Sequence, residues 1–260
     1  MKTGSEIIID VLAEEGVETI FGYSGGAILP TYDEVFKYNE ANPEKQMPLI
    51  VPSNEQGAGF MASGYARSSG KPGVVMVTSG PGATNTVTPV RDAMADSIPM
   101  VIICGQVSRQ SIGSDAFQEA PITSVMGSVA KHVFLVTNEN KLAATLKAAF
   151  EIAKSGRPGP VVVDIPKDVQ TAEISYEDYE DANISAYNRR ILTIQESRLT
   201  QEKSSEFFDH LSKSKKPIII AGGGVLYSDA TGELSDFAKK HNIPVTQTVM
   251  GYSSLKKDHS

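Results

Sequence analysis

One acidic residue, Glu55, stands where the apolar run of residues 49–51 gives way to a segment rich in glycine and alanine. The neighbouring residues are small: Gly57, Ala58, Gly59 and Ala62. Another surface could therefore come very close to the carboxylate, and an acid against a flat ligand or a second chain there could transfer protons. The same position also suits an acid that only stabilises the start of the following helix. The residues alone leave both interpretations open.

Two glycine-rich segments each follow an apolar run. The first is Ser-Gly-Pro-Gly-Ala-Thr-Asn at residues 79–85, and the second is Ala-Gly-Gly-Gly at residues 221–224. Glycine permits close backbone approach, so either segment could contact a ligand, and the second favours a nucleotide-type one. Neither matches the Gly-x-Gly-x-x-Gly fingerprint or a P-loop. A tight turn remains the alternative for both.

Two cations and one polar loop are further candidates. Arg157 lies in the rigid segment Ser-Gly-Arg-Pro-Gly-Pro and could bind a phosphate or carboxylate, while Lys167 follows an apolar run. Phe117 and Gln118 could shape a small pocket. By residue type alone, all four also fit an ordinary solvated surface.

Apolar runs alternate with helical periodicity about six times, which predicts an α/β fold with a doubly wound, six-stranded, mostly parallel sheet. Ligands bind beyond the carboxyl ends of such strands, so we expect Glu55, residues 79–85 and residues 105–107 to converge on one edge. The predicted strands are residues 18–21, 49–51, 74–78, 100–103, 132–136 and 161–165.

An acidic stretch at residues 171–190 has few large apolar residues and no strand or helix period, which predicts a linker between residues 1–170 and residues 191–260. The second unit is expected to form two helices and two strands, a poor core by itself. We therefore expect it to be part of a larger domain. Its predicted elements are helices at residues 197–212 and 231–241 and strands at residues 216–220 and 243–249.

Composition excludes several classes of protein. A net charge of −7 over 260 residues argues against a nucleic-acid partner. No apolar run approaches the ~18 residues that a membrane span needs, and the N-terminus lacks a signal-peptide core. Cys104 is the single cysteine, which fits a reducing, cytoplasmic location and is expected to be buried and inert. The four histidines show no metal-ligand spacing.

Seven motifs occur in order and together resemble the large catalytic subunit of acetolactate synthase, a thiamine-diphosphate enzyme of branched-chain amino-acid biosynthesis. The similarity runs from about residue 2 to residue 251. The motif at residues 115–119 favours the FAD-containing biosynthetic branch over pyruvate oxidases. The motifs occupy residues 21–28, 54–59, 64–67, 78–85, 105–107, 115–119 and 155–161.

The resemblance implies a reaction and a role for each candidate. Pyruvate is decarboxylated and condensed with a second 2-keto acid, pyruvate or 2-ketobutyrate, and Glu55 hydrogen-bonds the aminopyrimidine of thiamine diphosphate to promote loss of the thiazolium proton. Gln118 and Lys167 are implied as catalytic residues, and Phe117 and Ser108 as substrate-channel residues. Thiamine diphosphate contacts are implied for Gly26, Ala27, Glu55 and Asn85. FAD contacts, structural rather than redox-active, are implied for Arg157, Gly222, Gly223, Gly224, Thr248 and Met250.

The chain departs from the family pattern in several places. Asn54 stands where many members have His, and Ser108 where the family usually has Pro. No Gly-Asp-Gly motif occurs, so the domain that binds the diphosphate and Mg²⁺ is expected to lie outside these residues. The chain would then be the N-terminal portion of the subunit, supply half an active site and be inactive alone. The resemblance also implies a homodimer or homotetramer and a regulatory small subunit.

Two other functions remain open at this stage. The chain could be a non-catalytic dimerisation or binding module that keeps the fold, which titration with the two organic cofactors would address. It could also belong to a sibling carboligase that uses glyoxylate or sulfoacetaldehyde, although the motif at residues 115–119 argues against this.

Overall fold

The structure is a computed structural model that describes residues 1–175, 178–196 and 199–255. Residues 197–198, where the first helix of the second unit was predicted to begin, lie outside the described residues, as do residues 176–177 of the predicted linker. The chain divides into two compact units, Met1–Leu192 and Thr193–Ser260.

A six-stranded parallel sheet forms the centre of the first unit. Its strands are β2 (Ile20–Tyr23), β3 (Leu49–Ile50), β4 (Gly73–Val77), β5 (Met100–Gln106), β6 (His132–Leu135) and β7 (Pro160–Pro166). They lie side by side in the order β3-β2-β4-β5-β7-β6, and every neighbouring pair is parallel. The predicted fold class is therefore confirmed. A separate antiparallel pair joins β1 (Lys2–Thr3) to β8 (Glu173–Ile174).

Helices cover both faces of this sheet, as the long apolar strands require. The α-helices of the first unit are α1 (Gly4–Glu14), α2 (Leu29–Ala41), α3 (Glu55–Ser69), α4 (Pro81–Thr84), α5 (Val87–Asp96), α6 (Ile122–Gly127), α7 (Leu142–Lys154) and α8 (Lys167–Thr171). A ninth described helix, α9 (Ser185–Glu196), begins in the first unit and ends beyond its last residue, Leu192. Side chains of α1, α2 and α7 share one apolar cluster with alternate residues of β4, β5 and β7. The glycine-rich segment at residues 79–85 forms the short helix α4, and α5 begins at Val87.

The small residues after Glu55 pack closely against another helix of the same chain, α5. An added Cβ on Gly59 would lie 2.3 Å from Cγ of Pro89, far inside van der Waals contact. Ala58 and Ala62 beside it are fully buried. The small residues of α3 therefore serve, at least at Gly59, the packing of two helices.

The second unit contains two parallel strands and three helices in its described part. They are α10 (Gln201–Lys213), β9 (Ile219–Ala221), α11 (Gly223–Tyr227), α12 (Thr231–His241) and β10 (Val245–Gln247). Phe207 and Phe208 of α10 contact the ring of Phe237 of α12. The predicted order of elements is confirmed, with shorter strands and the additional helix α11.

The prediction that residues 171–190 lack regular structure was wrong. They include β8 and the first half of α9. Tyr179, Ile184 and Tyr187 pack against the core of the first unit, and the Tyr187 hydroxyl lies 2.5 Å from Oγ of Ser155. A few well-spaced apolar residues therefore anchor this acidic stretch, which composition alone could not indicate. The domain boundaries predicted from the sequence stay predictions.

Replacing Gly59 with Ala tests the α3–α5 contact, and Gly64→Ala in the same helix is its matched control. An added Cβ on Gly64 meets nothing within 4 Å. We expect Gly64→Ala to stabilise the chain by about 0.5–1 kcal/mol through helix propensity. Gly59→Ala should destabilise it by about 1–3 kcal/mol through overpacking against Pro89. Urea unfolding measures both, and equal effects of the two substitutions would contradict the packing.

Candidate functional site

Glu55 is the first residue of α3, but its neighbour caps the helix. The side chain of Asn54 accepts a hydrogen bond from the backbone N–H of Gly57 at 2.8 Å, which satisfies the helix start. Glu55 is 9% exposed, and its Oε2 accepts a hydrogen bond from Nδ2 of Asn85 at 2.8 Å. Asn54 therefore caps α3, and the Glu55 side chain points to the loop after β4.

The other oxygen of Glu55 is available. Within the described residues, Oε1 accepts no hydrogen bond. An added Cβ on Gly82 would lie 3.4 Å from this oxygen, so the missing side chain keeps its surroundings open. Nearby Tyr32 donates to the carbonyl of Met76 at 2.8 Å, and burial, assisted by the Glu55 charge, raises the pKa of its phenol. Tyr32 is thus a neutral structural donor.

The loop with Gly26 and Ala27 is held from two sides at the same sheet edge. The backbone N–H of Ala27 donates to Oγ1 of Thr78 at 3.3 Å, and its carbonyl accepts from Nε2 of Gln170 at 2.7 Å. Gln170 is fully buried and also accepts from Oγ1 of Thr31. Gly26 itself is exposed and faces open space. Sequence reasoning missed Gln170, which gave no signal beyond a polar residue in a short helix.

The loop that carries Phe117 and Gln118 rests against the loop after β4. Gly80 has a φ of 52°, and an added Cβ there would lie 2.2 Å from the carbonyl oxygen of Gln118. Gln118 has a φ of 58°, a conformation that non-glycine residues rarely adopt. Phe117 is 87% exposed. The structure thus brings together the loops of Glu55, Asn85, Ala27 and Gln118.

Lys167 and Ser108 are brought near each other by their neighbours. Arg109, which follows Ser108, donates from its backbone N–H and its Nε to the carboxylate of Asp168, at 3.0 and 2.7 Å. Burial acts to raise the pKa of Asp168, but the hydrogen bonds and charge of Arg109 outweigh it and lower that pKa. Lys167 is exposed at the start of α8. The ion pair therefore joins the segments that follow β5 and β7, on which Ser108 and Lys167 lie.

The residues implied as FAD contacts lie in both units. In the first unit, Arg157 donates to Oγ of Ser97 at 2.8 Å and to the carbonyls of Met94 and Ala95, so it caps the carboxyl end of α5. In the second unit, the backbone N–H of Thr248 donates to the carbonyl of Ala221 at 2.9 Å. An added Cβ on Gly222 would lie 3.8 Å from Oγ1 of Thr248 and one on Gly223 would lie 3.1 Å from the Met250 carbonyl, whereas one on Gly224 meets nothing within 4 Å.

A buried acid on β7 was not identified from the sequence. Asp164 is 1% exposed, and burial raises its pKa to about 7 against the opposing effect of a hydrogen bond from Gln106. Its Oδ1 has no hydrogen-bond partner within the described residues. Cys104 pairs with it in register, and burial, with the Asp164 charge, raises the pKa of the thiol. Cys104 is fully buried, as predicted. The signal for Asp164 was an acid inside an otherwise apolar run.

The part of the chain that the structure describes contains no group of three or more His, Cys, Asp or Glu side chains that could hold a metal ion. None of its described helices is long and apolar enough to cross a membrane.

Two segments of the chain match family models of thiamine pyrophosphate enzymes. A family model described as thiamine pyrophosphate enzyme, N-terminal TPP binding domain, matches residues 2–128, and one described as thiamine pyrophosphate enzyme, central domain, matches residues 205–260. The chain is 42% identical over 258 residues to the mitochondrial acetolactate synthase catalytic subunit of Saccharomyces cerevisiae, covering 98% of the chain and 37% of the relative.

Two further relatives give the same result. Identity is 41% to the acetolactate synthase large subunit of Lactococcus lactis, over 99% of the chain and 43% of the relative. It is 46% to the mitochondrial catalytic subunit of Aspergillus candidus, over 96% of the chain and 36% of the relative. The chain therefore spans about two fifths of the length of the curated relatives it matches.

The buried acid should leave a trace in the pH dependence of stability. Its pKa is about 7 in the folded chain against 3.8 as the ordinary value, so between these values the folded state binds the extra proton. Stability should then fall as pH rises from about 4 to about 7, by up to about 4 kcal/mol. Urea unfolding across this range should show a flatter profile for Asp164→Asn. Asp33→Asn, at an exposed acid, is the control; parallel profiles for Asp164→Asn and the unmodified chain would contradict the assignment.

Proposed function

The chain belongs to the thiamine pyrophosphate enzymes, and from that premise we propose that it forms the glutamate-bearing part of an acetolactate synthase large subunit. The reaction is the decarboxylation of pyruvate and its condensation with a second 2-keto acid, pyruvate or 2-ketobutyrate. The observation that carries the proposal is the buried carboxylate of Glu55, which Asn85 holds by one oxygen while the other stays available.

The residues around Glu55 fit thiamine diphosphate by their donor chemistry and by the open space beside them. When bound, the cofactor supplies a thiazolium ring that stabilises the negative charge left when CO₂ departs. Glu55 would share a proton with a ring nitrogen of the aminopyrimidine, donating the hydrogen bond while its carboxyl is protonated and accepting it once the proton has moved to the ring. Asn85 orients the Glu55 carboxylate, and Gly26 and Ala27 would line the ring where their loop is exposed.

Four side chains are proposed to contact or guide the substrate. Gln118 would hydrogen-bond the 2-keto acid, and Lys167 would attract its carboxylate at the mouth of the channel. Phe117 is 87% exposed, and its apolar face would exclude water once a ligand or a further part of the protein covers it. Ser108 would line the channel wall beside them.

FAD and Mg²⁺ are further proposed cofactors. An added Cβ on Gly224 meets nothing within 4 Å and one on Gly222 meets only Thr248, so these glycines leave room for a nucleotide-type ligand such as FAD, whereas Gly223 packs against Met250. Arg157 uses three N–H contacts on α5, so a role toward FAD would fall to its remaining donor capacity. The ligands of Mg²⁺ are proposed to come from a diphosphate-binding domain beyond these residues, because no Gly-Asp-Gly motif occurs here.

The assembly is proposed to be a homodimer or homotetramer in the cytoplasm, together with a regulatory small subunit. Large apolar side chains are exposed at and near the carboxyl ends of β2 and β3, the edge of the sheet that carries Glu55, and such a patch is typical of an interface. The exposed residues are Tyr23, Leu29, Ile50, Val51, Phe60 and Met61. The single buried thiol suits a reducing compartment.

Replacing Glu55 tests the proposal in the intact protein that contains this chain. We expect Glu55→Gln to lower acetolactate formation from pyruvate by about 10²- to 10⁴-fold, because an amide cannot exchange the proton. The same substitution at the exposed Glu44 should leave the rate unchanged. If Glu55→Gln forms acetolactate as fast as the unmodified protein, the role proposed for Glu55 is refuted.

The 260-residue chain by itself should form no acetolactate from pyruvate in the presence of thiamine diphosphate, Mg²⁺ and FAD. The reason is that it carries no Gly-Asp-Gly motif to hold the metal and the diphosphate. A colorimetric assay for acetolactate, with the intact protein as positive control, measures this. Clear turnover by the isolated chain would show that the metal and diphosphate are bound in another way.

A further inference from the structure

The loop that carries Gln118 is strained and yet strongly held within itself. Asp115 and Gln118 both have positive φ, near 56° and 58°, which costs conformational energy that surrounding contacts must offset. The carboxylate of Glu119 accepts hydrogen bonds from the backbone N–H groups of Gly113 and Ala116. These contacts make residues 113–119 a compact unit, but they do not attach that unit to the sheet.

One buried amide makes the attachment. Nε2 of Gln106, at the end of β5, donates to the carbonyl of Ala120 at 3.2 Å and to Oδ2 of Asp164 at 2.9 Å. The carbonyl of Ala120 also accepts from the backbone N–H of Ile122, where α6 begins. Gln106 is 3% exposed and Asp164 1% exposed, so water does not compete for the hydrogen bond between them. The hydrogen bond to the Ala120 carbonyl is part-buried.

The orientation of this amide is determined by its partners. Oε1 of Gln106 accepts from the backbone N–H of Val107 at 2.9 Å, while both of its N–H groups face oxygen acceptors. A flipped amide would place Oε1 against the acceptor oxygens of Asp164 and Ala120, leave Oδ2 of Asp164 without its donor and set Nε2 against the backbone N–H of Val107, which is costly in a buried site. Asp164 and the Val107 N–H therefore together select the orientation in which Gln106 can bind the loop.

We propose that Gln106 is a positioning residue for Gln118, and that Asp164 is the acceptor that sets the Gln106 amide. Burying the Asp164 carboxyl costs free energy, because its second oxygen has no described partner. The structural gain is the fixed attachment of a strained loop to the end of β5. The consequence for substrate binding rests on the proposed function, whereas the attachment itself does not.

The attachment is tested by hydrogen exchange in the intact protein that contains this chain. Gln106→Met keeps the length of the side chain but removes both donors. We expect amide exchange in residues 113–121 to become roughly tenfold faster while the strands of the sheet stay unchanged. Gln110→Met is the matched control, because Gln110 is exposed and its side chain makes no hydrogen bond to a described residue. Unchanged exchange in the loop, or equal acceleration throughout the sheet, would overturn the proposal.

Substitutions of Asp164 separate acceptor chemistry from simple packing. Asp164→Asn keeps an acceptor oxygen toward Gln106 and should retain the loop protection, whereas Asp164→Leu should lose it as Gln106→Met does. Equal loosening by Asn and Leu would overturn the role given to Asp164. If the loop in Asp164→Leu is as well protected from exchange as in the unmodified protein, the role given to Asp164 is also overturned.

Kinetics of the holoenzyme then connect the attachment to Gln118. Gln106→Met should raise KM for the 2-keto acid by about tenfold and lower kcat less, because the Glu55 site stays intact. A loosened loop with unchanged KM would overturn the positioning role. If the unmodified protein forms no acetolactate, the proposed function fails, while the exchange measurement still decides the attachment.

Discussion

The parallel register of β4, β5 and β7 is the constraint on which the rest of the structure depends. All three strands are buried along their whole length, so none can slip without exposing apolar side chains. The chain must leave all three at the same edge. The loop at residues 78–85, the loop at residues 107–121 and helix α8 consequently meet there, although they are distant in sequence.

At this edge, Asn54 caps the helix and the proposed proton chemistry falls to the adjacent residue, Glu55. Asn54 satisfies the start of α3, so the carboxylate of Glu55 need not do so. Asn85 then orients that carboxylate from the neighbouring loop. The two asparagines leave one oxygen of a buried acid without a described partner, which is the arrangement that a cofactor-activating glutamate requires. The same edge carries exposed apolar side chains, which suits a site completed by another part of the protein or a second copy.

Local patterns predicted most of the fold and part of the site. The apolar runs of β4, β5 and β7 identified the sheet, and its carboxyl edge placed Glu55 close to Asn85. What the sequence could not show were polar contacts between distant residues. Gln170 contacts Ala27, 143 residues away, and Gln106 contacts Asp164, 58 residues away. Neither glutamine has a local signature, because its role depends on partners that only the folded sheet brings near. Helix α9 was missed for a related reason, since a few tertiary contacts outweigh an acidic composition.

The central claim is that Glu55 activates a bound cofactor by proton exchange. Its most direct test is the rate at which the thiazolium proton of thiamine diphosphate exchanges with deuterium in the intact protein, followed by rapid acid quench and NMR. We expect this exchange to be far faster than in free thiamine diphosphate, and to fall to about the rate of the free cofactor in Glu55→Gln. Equal rates with and without the Glu55 carboxylate would contradict it.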